Sequence, residues 1–194
     1  MILIAGFAVV ALSVVALGGR LSLLPTIRLR HPELIIATLA GQILVINVLP
    51  RALPLALAAA LHLATYALAV AFVLVNRHIR GLWLVMAGGG CNLAAIAANG
   101  GEMPAARSAL AAAGIRAGSG FHNSGAVANP HLAFLGDIFA VPRGWPLPNV
   151  FSIGDVVLLA GAFVVLHHAC ASRLTRSRAG PGRPVRPAAD PALR

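Results

Sequence analysis

The chain has 194 residues, of which 59% are apolar and 10% charged, and its mean hydropathy is +0.86. This composition is more apolar than that of soluble domains, and the length leaves room for one bundle without a separate soluble domain. The formal charge is +10, but many arginines follow Cys170 and no soluble fold presents them, so we expect no nucleic-acid partner.

Five apolar runs along the chain come close to or exceed the length of about 20 residues that a membrane-spanning helix needs. They are residues 1–17, 34–49, 53–75, 81–98 and 152–169. The pattern predicts an all-α polytopic membrane protein, with a five-span domain over residues 1–170 and one long outer loop over residues 99–150. We do not expect the first run to be a signal peptide, because its first charge, Arg20, follows the apolar core.

The arginines indicate which way the predicted spans run, since cytoplasmic segments collect basic residues. With the N-terminus outside, eleven of the 15 arginines fall in inner segments and four in outer ones. The inner ones are Arg20, Arg28, Arg30, Arg77, Arg80, Arg173, Arg176, Arg178, Arg183, Arg186 and Arg194. We therefore expect the C-terminus in the cytoplasm. Residues 171–194, rich in Arg and Pro, predict a disordered tail that touches anionic lipids.

Polar residues within the predicted spans lie mainly in the outer half of the bundle. Gln42, His62 and Asn92 each fall about 10–13 Å from the outer end of a span, at a rise of about 1.5 Å per residue. Polar groups in hydrocarbon usually face the bundle interior. They either bond one helix to another or line a polar outer cavity. Residues 88–90, three glycines, predict close helix packing, the alternative being a loosened helix at a functional site.

The predicted outer loop contains several short features. Residues 104–113 predict a short helix that Gly114 ends, and residues 132–141 predict an interfacial or re-entrant segment that is too short to span. That segment contains Asp137, which needs a partner such as His122 or Arg51, and we expect it to cover the outer cavity as a lid. Ser152 and Asp155 predict a structural cap on the fifth span. The candidate outer-face binding residues are Asn99, Glu102, His122, Asp137, Asn92, His62 and Gln42.

Motifs distributed along the chain resemble the bacterial membrane proteins of domain-of-unknown-function family 5317. They are GGRL at 18–21, NGGEMP at 99–104, His122, FLGDI at 134–138 and FSIGD at 151–155. The resemblance covers the chain to about residue 170. It implies a five-span protein in the bacterial plasma membrane and implies no activity.

The sequence favours a non-catalytic binding or interaction module, because the usual hydrolase, metalloprotease and nucleotide-binding motifs are absent. Its expected partners are the lipid bilayer and a small molecule or lipid at the outer face. The alternative is a membrane-embedded enzyme acting on a lipid-linked substrate, with His122 as general acid or base and Asp137 orienting it. A transporter is a third hypothesis, which the apolar inner halves of the spans disfavour. We expect no cofactor and no metal, since the spacing of His122 and His131 matches no ligand pattern.

Overall fold

The computed structural model describes residues 2–45, 54–115 and 124–176. Helices dominate this part of the chain, so the protein belongs to the all-α class, and each of the five apolar runs forms a helix. These helices are α1 (Ile2–Ala16), α2 (Pro32–Ile43), α3 (Leu55–Val75), α4 (Leu82–Ala98) and α6 (Ile153–Ala169). The last part of the predicted second span lies outside the described residues.

Helices α4 and α6 are antiparallel and form the most extensive helix–helix contact among the described residues. Glycines make this approach possible: a Cβ on Gly88 would lie 2.5 Å from the carbonyl oxygen of Gly154, and a Cβ on Gly161 would lie 2.5 Å from the amide nitrogen of Val85. Helix α1 packs against α6, whereas α2 pairs with α3. The predicted packing role therefore holds for Gly88, but no atom lies within 4 Å of a Cβ built on Gly89 or Gly90.

Three arginine-bearing segments meet at one end of the bundle, which we call the arginine end: residues 17–31, 76–81 and 170–176. The amide of Arg20 donates to the carbonyl oxygen of Cys170 at 2.9 Å. The guanidinium of Arg176 donates to the carbonyl oxygen of Gly18 at 3.3 Å. The chain's alternation of helices thus places on the same end those inner-segment arginines that the structure describes, namely Arg20, Arg28, Arg30, Arg77, Arg80, Arg173 and Arg176.

Asn76 holds the arginine end together, a role that the sequence analysis did not predict. Its amide nitrogen donates to the carbonyl oxygen of Arg30, and its side-chain oxygen accepts from the Arg30 amide, both at 2.7 Å. The side chain is fully buried. It also donates to the carbonyl oxygen of Phe72 at 2.9 Å, so that one residue joins the segment before α2 to the end of α3.

Asn76→Ala is expected to lower the free energy of unfolding by about 1–3 kcal/mol, because it leaves the polar backbone groups of Arg30 without partners. The measurement is the melting temperature of the purified chain in detergent. The neighbouring Arg77→Ala, at an exposed position, is the control and should leave melting unchanged. Equal melting temperatures for the two variants would contradict this role of Asn76.

The opposite end, called the loop end, consists of residues 99–115 and 124–151. Strand β1 (Met103–Pro104) pairs in parallel with β2 (Ser124–Gly125), and β3 (Phe139–Val141) forms an antiparallel hairpin with β4 (Asn149–Phe151). Helix α5 spans Arg107–Ala113 and ends at Gly114, whose φ is +68°. It begins three residues later than predicted, because β1 and a bridge from Ala105 to Asp137 take up the preceding residues.

The apolar stretch at 132–141 lies against the bundle. It forms a 3-10 turn (Ala133–Leu135) and then strand β3, two elements that the sequence did not predict. Leu135 packs against a buried cluster that includes Ala95 and Met103, whereas Phe134 is 61% exposed. The segment thus covers the end of α4 with one side and presents large apolar side chains on the other.

Within the described residues, one helix is long and apolar enough to cross a bilayer by length and composition, over Ala56–Val75. Only 33% of that stretch is buried inside the fold. The other four apolar helices are shorter, between 12 and 17 residues. Many of their large apolar side chains are nonetheless exposed, among them Ile4, Val9, Leu12, Ile36 and Trp83.

Candidate functional site

A cavity of about 610 Å³ lies between the α2–α3 pair and the α4–α6 pair. Its polar lining is concentrated towards the loop end, where α3 begins, α4 finishes and α6 begins. The polar side chains there are Gln42, His62, Tyr66, Asn92, Asp137, Asn149 and Asp155. Towards the arginine end the lining is apolar, with Ile35, Phe72, Val73, Leu82, Val85 and Met86. The cavity therefore has a polar end and an apolar end along one axis.

Asn92 closes a ring of hydrogen bonds at the polar end. Its amide nitrogen donates to Oδ1 of Asp155 at 2.8 Å, and its side-chain oxygen accepts from Oγ of Ser152 at 2.8 Å. Ser152 and Asp155 form the capping box of α6, in which Ser152 Oγ accepts from the Asp155 amide at 3.0 Å and Asp155 Oδ2 accepts from the Ser152 amide at 3.1 Å. The ring thus fixes α4 to the first turn of α6 and holds the Asp155 carboxylate beside the cavity.

His62 belongs to α3 and is 1% exposed. Its Nδ1 lies 3.2 Å from the carbonyl oxygen of Gly101, and because a carbonyl only accepts, Nδ1 carries the proton. The ring also lies 5.6 Å from the ring of Tyr66, one turn along. Gly101 has a φ of +96°, and a Cβ there would lie 2.5 Å from the Cβ of Ala59. This glycine lets the loop approach α3 closely enough for His62 to bond it.

Asp137 is held at the cavity by its own backbone. Its amide donates to the carbonyl oxygen of Pro104 at 2.9 Å, and its carbonyl oxygen accepts from the amide of Ala106 at 3.0 Å. The residue is 4% exposed, and it also takes part in a polar or electrostatic interaction. The two partners that the sequence suggested, His122 and Arg51, lie outside the described residues.

The structure brings four of the seven candidate residues to one cavity, namely Gln42, His62, Asn92 and Asp137. Asn99 instead ties α4 to the loop: its side chain donates to the carbonyl oxygens of Ala95 and His131 and accepts from the His131 amide, at 2.7–2.9 Å. Glu102 lies against the backbone of Gly125, and the cavity lining does not include it. The seventh candidate, His122, lies outside the described residues.

Sequence reasoning missed four residues that line the cavity. Asp155 was predicted only as a cap, yet it also lines the polar end, as does Asn149 on β4. Gly89 and Gly90 line the cavity wall as well. The sequence did contain a signal for the two glycines. Three consecutive glycines on one helix cannot all face the same neighbouring helix, and Gly89 and Gly90 lie close to Asn92 in the sequence of α4. Among the described residues, no group of three or more His, Cys, Asp or Glu side chains could hold a metal ion.

The comparison with protein families gives a match to a family of unknown function (DUF5317) over residues 26–167. The matched part includes α2, α3, α4, the loop end and nearly all of α6. The chain belongs to this family. The part of the chain that matches the DUF5317 model contains every described residue of the cavity lining except Leu3 of α1. No curated protein and no solved structure matches the chain.

Proposed function

We propose that this DUF5317 member is a five-span integral membrane protein of a bacterial plasma membrane, and that it binds a small amphipathic molecule in its cavity without chemical conversion. The observation that carries the proposal is the apolar character of the exposed helix faces. A soluble bundle exposes polar residues on its outer faces, whereas Ile4, Val9 and Leu12 on α1 are 65–70% exposed. Faces that are apolar and exposed at the same time match a lipid surrounding.

The two tryptophans of the chain support the same placement. Trp83 lies in the first turn of α4 at the arginine end, and Trp145 lies in the β3–β4 connection at the loop end. They are 50% and 68% exposed, respectively. Tryptophan is enriched at both membrane–water interfaces, so one exposed tryptophan near each end of the bundle marks the two surfaces of the proposed membrane domain. The arginine end then faces the cytoplasm and the loop end faces outward.

Four of the five membrane helices in this proposal are short. A helix of 17 residues such as α4 measures about 26 Å at about 1.5 Å per residue, compared with a hydrocarbon core of about 30 Å. Local bilayer thinning accommodates such a difference at modest cost. Exposed apolar residues of the loop end, Phe134 and Phe139, extend the apolar surface beyond the end of α4. In this proposal, bilayer thinning and these two phenylalanines together make up the difference between the length of the helix and the thickness of the hydrocarbon core.

The cavity supports the binding role. Its volume of about 610 Å³ falls within the range of about 300–1,000 Å³ for small-molecule sites. Such sites combine a mainly apolar wall with a few placed polar groups, which describes the division between its two ends. His62, Asn92 and Asp137 supply the polar groups, and the loop end covers them as the predicted lid.

Native mass spectrometry of the chain purified in mild detergent tests this function. We expect the wild-type protein to retain a small amphipathic molecule, and Gly89→Leu to lose it, because the new side chain enters the cavity where nothing lies within 4 Å of a Cβ. Ala87→Leu, at an exposed position on the same helix, is the matched control and should keep the bound molecule. Two results would contradict the proposed binding: both variants retain the molecule equally, or no molecule is retained by the variants or by the wild type.

A further inference from the structure

We infer that the arginine end carries a second binding site, at which Arg173 and Arg176 bind the phosphate group of an anionic phospholipid in the inner leaflet. The inference goes beyond the proposed cavity function and takes from it only the placement of the arginine end at the membrane surface. Three features of the structure carry it: how the fold fixes these two arginines, which charges surround them, and which apolar side chains accompany them.

The segment that bears the two arginines is folded onto the bundle. Ser172 is fully buried, and its hydroxyl lies 2.8 Å from Nδ1 of His167 on α6. The hydroxyl of Thr175 donates to the carbonyl oxygen of His167 at 2.8 Å. The amide of Arg173 donates to the carbonyl oxygen of Leu17, just after α1, at 3.0 Å. The backbone that presents the arginines is therefore held by the ends of both α1 and α6.

Both arginine side chains lie beside Gly18, in the turn that follows α1. A Cβ built on Gly18 would lie 3.2 Å from Nε of Arg173. The guanidinium of Arg176 donates to the carbonyl oxygen of Gly18 at 3.3 Å and to that of Ala171 at 2.8 Å. A guanidinium has five N–H donors, so these contacts use only some of them. Because both arginines are exposed, the remaining donors are available to a ligand that contacts both.

The charge around this pair is strongly positive. The three segments of the arginine end contain seven arginines and neither Asp nor Glu. The acid that follows the first segment, Glu33, contacts His31 with Oε1 at 2.8 Å from Nδ1. Arginine binds phosphate through parallel N–H donors, and anionic lipids of the cytoplasmic leaflet are attracted to basic segments beside a membrane domain. A negatively charged group with several acceptor oxygens therefore fits the pair.

Exposed leucines accompany the pair, and they favour a lipid over a free phosphate ion. Leu174, between the two arginines in sequence, is 59% exposed, and Leu21, in a 3-10 turn over Leu21–Thr26, is 39% exposed. Leu24 of the same turn packs against a buried cluster of α1 and α6 residues, so the turn lies against the bundle. Basic residues beside exposed leucines are typical of a segment in the membrane interface.

Native mass spectrometry of the full chain, released from nanodiscs with equal amounts of phosphatidylglycerol and phosphatidylcholine, tests the inference. We expect the wild type to retain phosphatidylglycerol preferentially. Replacing both Arg173 and Arg176 by Gln should lower that retention about tenfold or more, the effect of losing one hydrogen bond to a charged group. Replacing both Arg77 and Arg80 by Gln removes the same charge from exposed positions at the same end and should leave retention close to that of the wild type.

Arg173→Gln alone leaves the contacts of Arg176 with the fold in place and should lower retention in the same direction. Melting temperatures of all variants verify that each is folded. Equal losses in the two double variants would overturn the site, because retention would then follow net charge alone. Equal retention of the two lipids by the wild type would overturn it as well. Displacement of the lipid by inorganic phosphate would overturn the assignment of a lipid.

The cavity variant Gly89→Leu separates this inference from the proposed function. Its new side chain enters the cavity, far in sequence from residues 170–176, so phosphatidylglycerol retention should equal that of the wild type. Loss of phosphatidylglycerol from Gly89→Leu, with retention unchanged in the variant that lacks both Arg173 and Arg176, would place the lipid in the cavity. That result would overturn the second site and leave the proposed cavity binding in place.

Discussion

Asp137→Ala is expected to destabilise the protein by about 3–5 kcal/mol, the usual effect of removing one member of a buried charge pair. The residue is 4% exposed and takes part in a hydrogen-bonding or electrostatic interaction, and a buried charge is stable only when it is paired or hydrogen-bonded. The alanine variant removes the carboxylate from any such interaction. It also removes a polar group from the cavity, so retention of the bound amphiphile should fall together with the melting temperature.

Asp137→Asn is the matched control for that result. The amide keeps the shape and part of the hydrogen bonding, and the backbone bonds to Pro104 and Ala106 do not depend on the side chain. We therefore expect the asparagine variant to melt much closer to the wild type. If Asp137→Ala melts at the wild-type temperature and retains the bound molecule, the segment at 132–141 does not act as a lid over a polar cavity.

Gly88→Ala is expected to lower the free energy of unfolding by about 1–3 kcal/mol, the range for forcing extra atoms into a packed interior. A Cβ at this position would lie 2.5 Å from both the carbonyl oxygen of Gly154 and the amide nitrogen of Leu158. Both atoms belong to the backbone of α6, so a side-chain rotation cannot relieve the contact. The two helices must separate, and this also strains the hydrogen bonds that join Asn92 to Ser152 and Asp155 at their interface.

Gly89→Ala, one residue along the same helix, should change the free energy of unfolding in the opposite direction and raise it. Nothing lies within 4 Å of a Cβ there, and alanine is favoured over glycine in a helix interior by about 1 kcal/mol. Melting temperatures of the two variants in the same detergent give the comparison. Similar changes for Gly88→Ala and Gly89→Ala would show that packing against α6 does not depend on Gly88.

The sequence predicted the helices well because apolar runs are a strong local signal. The five runs, the short helix before Gly114 and the cap formed by Ser152 and Asp155 all rest on residues that are close together in the chain. The structure differs mainly at the loop end, where β1 pairs with β2 across about 20 residues. Strands of two or three residues depend on such distant pairing and leave no periodic pattern in the sequence.

The candidate site shows the same difference between features that local sequence predicts and features that depend on distant contacts. Depth along a helix placed Gln42, His62 and Asn92 at one level, and all three line the cavity. The sequence left open whether they bond helix to helix or line a cavity, and Asn92 does both through its ring with Ser152 and Asp155. Which way a residue faces depends on the neighbouring helix. For this reason sequence reasoning could not tell which of Gly88 and Gly89 faces α6, and it could not find the tie between Asn76 and Arg30.

Cysteine labelling from the two sides of the membrane tests the central claim, that the bundle spans the membrane with its loop end outside. Ser108→Cys, on the exposed side of α5, and Ser22→Cys, near the arginine end, are made separately with Cys91 replaced by alanine. Cys170 is kept, because it is fully buried and burial raises the pKa of its thiol, so it should react only after denaturation.

An impermeant maleimide applied to intact spheroplasts should label the chain at Ser108→Cys and leave Ser22→Cys unlabelled until the membrane is opened. Both proteins should be recovered in the membrane fraction. The reverse labelling pattern would contradict the orientation, and recovery of an equally reactive pair from the soluble fraction would contradict the membrane domain itself.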